Sequence, residues 1–194
     1  AETVPSERAG KEPYVVPGAA YTVQAKSAML IEMGTNQILF EQNADQQVYP
    51  ASLTKVMTCM LTLEHGNLTD TITVSETALQ GLSEAGSTAG LQAGEQLTLE
   101  ELLYCMMLSS ANEACNIAGE YVAGSVDGFV DMMNERAAEL GCTGTHFNNP
   151  HGLHDENHYT TARDLSLIVR EALKNETFRT ITSTVTHEVP ATNL

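Results

Sequence analysis

The sequence predicts a mixed α/β domain of the α+β kind, with its strands at the two ends of a helical block. Three observations predict it. Two alternating runs, Ser27–Met33 and Gln37–Gln42, flank Gly34-Thr35-Asn36, the pattern of antiparallel strands joined by a turn. Between Ser52 and Lys174, apolar residues recur at helical spacing in stretches with recognisable start and stop residues. Beyond them, Thr184–Val189 reads as a further strand. The 194 residues include 42% hydrophobic side chains and 14 glycines, a globular balance able to bury one core. That balance excludes a disordered chain, a collagen and a disulfide-dense miniprotein.

The elements follow in chain order. Residues 1–21 carry Pro5, Gly10, Pro13, Pro17 and Gly18 without periodicity and are expected to be a flexible N-terminal arm. After the hairpin, Pro50-Ala51-Ser52 opens an apolar helix that runs to about His65 and ends at Gly66. A short strand at Thr71–Val74 precedes a glycine-rich loop from Gly81 to Gly94. Thr98-Leu99-Glu100-Glu101 is a capping box opening a second helix through Leu108. A third helix is expected from about Asn112 to Gly124, and a fourth from Val126 to Leu140, ended by Gly141. Residues 141–160, with Asn148-Asn149-Pro150-His151-Gly152, read as a long loop. Thr161 through Asp164 caps a fifth helix over Leu165–Lys174, and a short helix follows.

Charge and cysteine narrow the function classes. The chain carries 25 acidic against 9 basic residues, a net charge of −16. Such a field repels a phosphate backbone, so no nucleic-acid partner is expected. An anionic substrate needs a local cation. No uncharged apolar run approaches the ~18 residues of a membrane span. The four cysteines do not look like a disulfide framework: Cys59, Cys105 and Cys115 sit among apolar neighbours in helical patterns, as buried free thiols do. The start at Ala1-Glu2-Thr3, without Met, fits a mature secreted chain or a shortened piece.

Two short motifs carry chemistry. In Ser52-Leu53-Thr54-Lys55 the helical spacing brings the hydroxyl and the amine onto one face. Serine is a weak nucleophile until a base takes its proton, and lysine serves as that base only when burial lowers its pKa from about 10.4. Lys55 is the only charged residue between Asp45 and Glu64, on a helix so apolar that it must lie inside the domain. The helix N-terminus would also favour a developing oxyanion beside Ser52. A surface lysine behind a capping serine is the plain alternative. The second motif, Ser110-Ala111-Asn112, lies between two apolar helices; it either projects a hydroxyl and a carboxamide into a cleft or simply caps the third helix.

Taken together, these segments resemble a known set. Tyr49-Pro50-Ala51-Ser52-Leu53-Thr54-Lys55-Val56-Met57-Thr58 is similar to the active-site segment of the serine D-alanyl-D-alanine carboxypeptidases, the low-molecular-mass penicillin-binding proteins. Leu108 to Ala114 is similar to their Ser-x-Asn motif. Asn149 to Leu153, with His158 to Asp164, resembles a further stretch of that group. The likeness runs colinearly over about residues 22–190. It implies a DD-peptidase/β-lactamase-like fold, an antiparallel sheet with a helical block, with residues 22–194 the N-terminal portion of the catalytic domain. It implies Ser52 as the acylated nucleophile, Lys55 as its proton acceptor, Ser110 as a proton relay and Asn112 as a ligand of the substrate peptide. The implied substrate is a peptidoglycan stem peptide ending in D-Ala-D-Ala, handled outside the cytoplasm, with β-lactams as covalent inhibitors and no cofactor.

One departure matters. The family's third motif, Lys-Thr-Gly, is missing: the last lysine is Lys174, and the only Thr-Gly pair, Thr143-Gly144, follows Cys142. The expectation is a natural chain that continues past residue 194, a membrane anchor (if there is one) outside these residues, a piece weak or inactive by itself, and an open sheet edge inviting pairing with a second copy. A class A β-lactamase would need a deacylating glutamate, and no Glu-x-x-Leu-Asn follows Ser110. Two other function classes compete: a metal-dependent hydrolase built on His151, His154 and His158 with Asp155 and His146, and a non-catalytic cell-wall-binding module.

Overall fold

The computed structural model describes residues 23–83 and 86–194; the expected N-terminal arm lies outside them. Strands β1 (Ala28–Ile31) and β2 (Ile38–Gln42) form an antiparallel pair with an irregularity between Leu30 and Ile31. Their connection is a six-residue loop in which the Glu32 carboxylate accepts from the Gly34 and Thr35 amides and Asn36 takes a positive φ of 64°. A 3₁₀ turn (Ala51–Thr54) runs straight into α1 (Lys55–His65). Then come β3 (Thr71–Thr73), β4 (Gln96–Thr98), α2 (Leu99–Leu108), α3 (Asn112–Ala123), α4 (Val126–Glu139), α5 (Ala162–Ala172) and α6 (Glu176–Ser183).

The helix starts are set by side chains that occupy orphan backbone donors. Thr98, Ser125, Thr161 and Asn175 each accept from the amide three residues on. Helix α1 touches α2, α3, α4, α5 and α6. Its apolar circumference is therefore buried on all sides, as the absence of charge along it predicted. Met57, Leu61, Leu102, Leu103, Met106, Phe129, Met133 and Ile168 fill the space around it. All four cysteines are buried and free.

The α+β architecture stands, but the strands differ in extent. Among the described residues there are two separate two-stranded antiparallel sheets. Strand β4, pairing Thr71 with Thr98 and Thr73 with Gln96, lies outside the sequence reading because three residues carry no period. Thr184–Val189 is not a strand. Its alternation has no apolar face to bury, since Val185 is 91% exposed. The segment is held by side chains instead. His187 stacks on Tyr104 with ring centroids 3.7 Å apart, and the Asn193 carboxamide oxygen accepts from the Gln96 amide at the edge of β4.

Candidate active site

Ser52 lies in the 3₁₀ turn, where residues three apart eclipse one another. That geometry sets its hydroxyl above Lys55, with Ser52 Oγ and Lys55 Nζ 3.4 Å apart. Two backbone features shape the turn. Ala51 has a positive φ of 49°, a left-handed conformation that costs a residue with a Cβ about 1–2 kcal/mol. Gly152 passes so close that a Cβ there would stand 1.9 Å from the Ala51 carbonyl oxygen. Only glycine fits that contact.

Lys55 is only 2% exposed. Its Nζ donates to Asn112 Oδ1 and to the His151 carbonyl, both at 2.8 Å. Burial pushes its pKa below the ordinary lysine value, partly opposed by Cys115 and Glu113. A neutral amine has two N–H bonds and one lone pair. In that form the two N–H bonds would go to Asn112 and His151 and leave the lone pair for Ser52.

Ser110 adopts φ 56° at the junction of α2 and α3, and its hydroxyl donates to Ser52 Oγ at 3.0 Å. Non-glycine residues in this conformation cluster where geometry is imposed by function. Asn112, the first residue of α3, is buried, with its Oδ1 on Lys55 Nζ. Its side chain does not cap the helix. The four residues singled out in the sequence thus converge on one point, 58 residues of chain apart at their widest hydroxyl pair. Ser52, Lys55 and Ser110, with Leu53, Met106 and Met107, border a cleft of about 420 Å³; Asn112 stands behind Lys55 and lines a neighbouring cavity with Gly86 and Glu113.

The loop over residues 148–152 forms the back wall. Thr58 Oγ1 donates to the Pro150 carbonyl at 2.6 Å. His158 Nδ1 accepts from the Asn148 amide, which leaves its proton on Nε2 to donate to Thr54 Oγ1 at 2.7 Å. Burial holds His158 at a pKa of about 4. His151, whose Nδ1 accepts from the Leu153 amide, is likewise lowered to about 4, chiefly by burial and then by Lys55. His154 packs edge-on against Tyr49. The three imidazoles therefore point to separate partners, and no group of His, Cys, Asp and Glu suited to a metal forms among the described residues.

Three contributors escaped the sequence reading: the His151 carbonyl, Thr54 and the His158 ring as a bridge to α1. The first is a backbone atom, carrying no residue-type signal. The bridge links residues 104 apart.

Residues 14–193 match a protein-family model described as D-alanyl-D-alanine carboxypeptidase. D-alanyl-D-alanine carboxypeptidase DacF of Bacillus subtilis is 38% identical over 166 residues, which cover 83% of this chain and 42% of that protein. DacA of Escherichia coli is 34% identical over 169 residues, with 83% and 42% covered. Among solved structures, the Streptomyces K15 DD-transpeptidase superposes with a TM-score of 0.79 at 31% identity, covering 84% of this chain and 66% of that one. A D-alanyl-D-alanine carboxypeptidase from Mycobacterium tuberculosis gives 0.82 at 28% identity, covering 90% and 66%. The chain spans about two fifths of the length of the first two relatives.

Proposed function

The chain belongs to the D-alanyl-D-alanine carboxypeptidase family, and from that premise we propose that the Ser52 cleft removes the terminal D-alanine from peptidoglycan stem peptides through an acyl-enzyme. The observation that carries this reading is the buried Lys55 amine, held by Asn112 and the His151 carbonyl at 3.4 Å from the Ser52 hydroxyl. Ser52 Oγ attacks the carbonyl carbon of the penultimate D-alanine while its proton moves to Lys55 Nζ. The tetrahedral intermediate collapses as the C–N bond breaks. The proton reaches the departing amine through Ser110, which already bridges to Ser52. Water then attacks the ester and Lys55 again accepts a proton, releasing the shortened peptide.

Asn112 supplies the carboxamide for the substrate's peptide group, its Oδ1 held by Lys55. β-Lactams acylate the same serine. With no deacylating glutamate of the Glu-x-x-Leu-Asn kind in the sequence, the penicilloyl ester is long-lived. The place of action is outside the cytoplasm, where peptidoglycan lies, in wall remodelling and cell-shape maintenance. Residues 22–194 act as the N-terminal portion of the catalytic domain, and the open edge of the β1–β2 pair is a place for a second copy to add a strand.

Intact-mass measurement after exposure to benzylpenicillin tests the reading. One adduct, mapped to Ser52 and missing in Ser52→Ala, supports it. An adduct that survives Ser52→Ala, or none on the chain once a Lys-Thr-Gly segment is supplied, overturns it.

A further inference from the structure

Beside the cleft, the segment 86–90 crosses the first turn of α3. Ser87, Thr88, Ala89 and Gly90 are exposed, so apolar burial does little to hold them there. Their attachment is polar and converges on one group. Glu113, only 3% exposed, accepts through Oε1 from Thr88 Oγ1 at 2.7 Å, from the Ala89 amide at 2.7 Å and from the Gly90 amide at 3.1 Å. One residue earlier, the Asn112 amide donates to the Ser87 carbonyl at 2.9 Å. Gly86 then lies flat against the Asn112 carboxamide: a Cβ at that position would stand 2.6 Å from Nδ2.

These contacts form a chain of restraint. Lys55 holds Asn112 Oδ1 from one side, and the backbone of Gly86 closes the other. Gly86 stays there because the stretch after it is tied down by Glu113. The carboxylate stands in the first turn of α3, where the helix dipole favours an anion, and its oxygen gathers three donors as a charged acceptor can. Glu113 is also an anion whose field reaches Lys55 and raises its affinity for a proton against the effect of burial.

We infer that Glu113 is a positioning residue: its buried carboxylate clamps segment 86–90 onto α3 and thereby fixes the Asn112 carboxamide against the Lys55 amine. Its catalytic consequence rests on the function proposed above; its structural consequence does not. The test compares Glu113→Ala and Glu113→Gln with the unaltered chain by NMR and by penicillin acylation. In Glu113→Ala, hydrogen exchange at the Ala89 and Gly90 amides accelerates about tenfold or more, and the order parameter of Asn112 Nδ2 falls from the rigid range near ~0.85 toward ~0.6. Acylation at Ser52 slows at least tenfold. Glu113→Gln keeps the acceptor oxygen and restores most of the order.

Thr88→Val, on an exposed residue, removes one of the three donors without threatening the fold and shifts Asn112 in the same direction by less. Ser125→Ala strips the cap of α4 and serves as the general-stability control. Equal Asn112 order in Glu113→Ala, Thr88→Val and the unaltered chain overturns the inference, as does an equal loss in Ser125→Ala. If the chain takes up no acyl group even with a Lys-Thr-Gly segment supplied, the proposed function fails while the order parameter still decides the role of Glu113.

Discussion

Two basic side chains of this chain depart from ordinary surface chemistry in opposite directions. Lys55 is sealed between α1, α3 and the 148–152 loop, touches only uncharged acceptors, and has its proton affinity lowered by burial. Arg163, at the start of α5, lies near the surface between Asp45 at 2.6 Å and Glu41 at 3.0 Å, and these carboxylates hold its proton more firmly still. Fixed charge next to a cation makes it a fastener. Neutral acceptors around a desolvated amine loosen its hold on a proton, as the proposed role of Lys55 requires.

The sharpest way to break this contrast is to delete both cations in turn. Lys55→Met lowers Ser52 acylation by about a thousandfold or more, as loss of a positioned base does. It costs under about 2 kcal/mol of stability, because the orphaned acceptors are offset by relief from burying a polar amine. Gly152→Ala comes next. A Cβ 1.9 Å from the Ala51 oxygen at φ 89° forces the Ser52 turn and the back wall apart, and chemical denaturation detects a loss of about 3 kcal/mol or more.

Acid attacks the same wall. His151 and His158 hold pKa values of about 4 in the folded chain against about 6.5 unfolded. The native state then binds fewer protons than the unfolded state between those values. Stability is level above about pH 6.5 and falls as the pH drops toward 4, by about 3 kcal/mol per imidazole. Denaturation midpoints measured from pH 8 to pH 4 follow that curve, and His158→Gln flattens part of it. Thr54→Val removes the acceptor of the buried His158 N–H and costs about 1–2 kcal/mol. The smallest effect falls on the surface cation: Arg163→Met shifts Tm by no more than about 3 °C and leaves acylation within twofold. A large loss of acylation there would erase the distinction drawn above.

What could be read from the chain in advance was local. Thr98 and Thr161 announce helix starts because a cap acts over three residues, and Ser52 with Lys55 is visible because one helical turn separates them. The charge-free stretch around Lys55 carried its burial. The rest depends on distant partners. Nothing in Pro150-His151-Gly152 says that a carbonyl there receives the lysine, nor does Glu113 advertise that it grips residues 88–90. Thr184–Val189 misled for the converse reason: a local pattern met no sheet edge able to use it.

The four buried thiols turn the helical block into its own clock. Burial pushes Cys105 to about 11 and Cys115 and Cys142 to about 12, and raises Cys59 as well, so none offers a thiolate at neutral pH. A maleimide can reach them only when the surrounding helices part. The labelling rates of Cys59 in α1, Cys105 in α2 and Cys115 in α3 therefore time the breathing of each wall of the cleft separately, with no probe to be introduced.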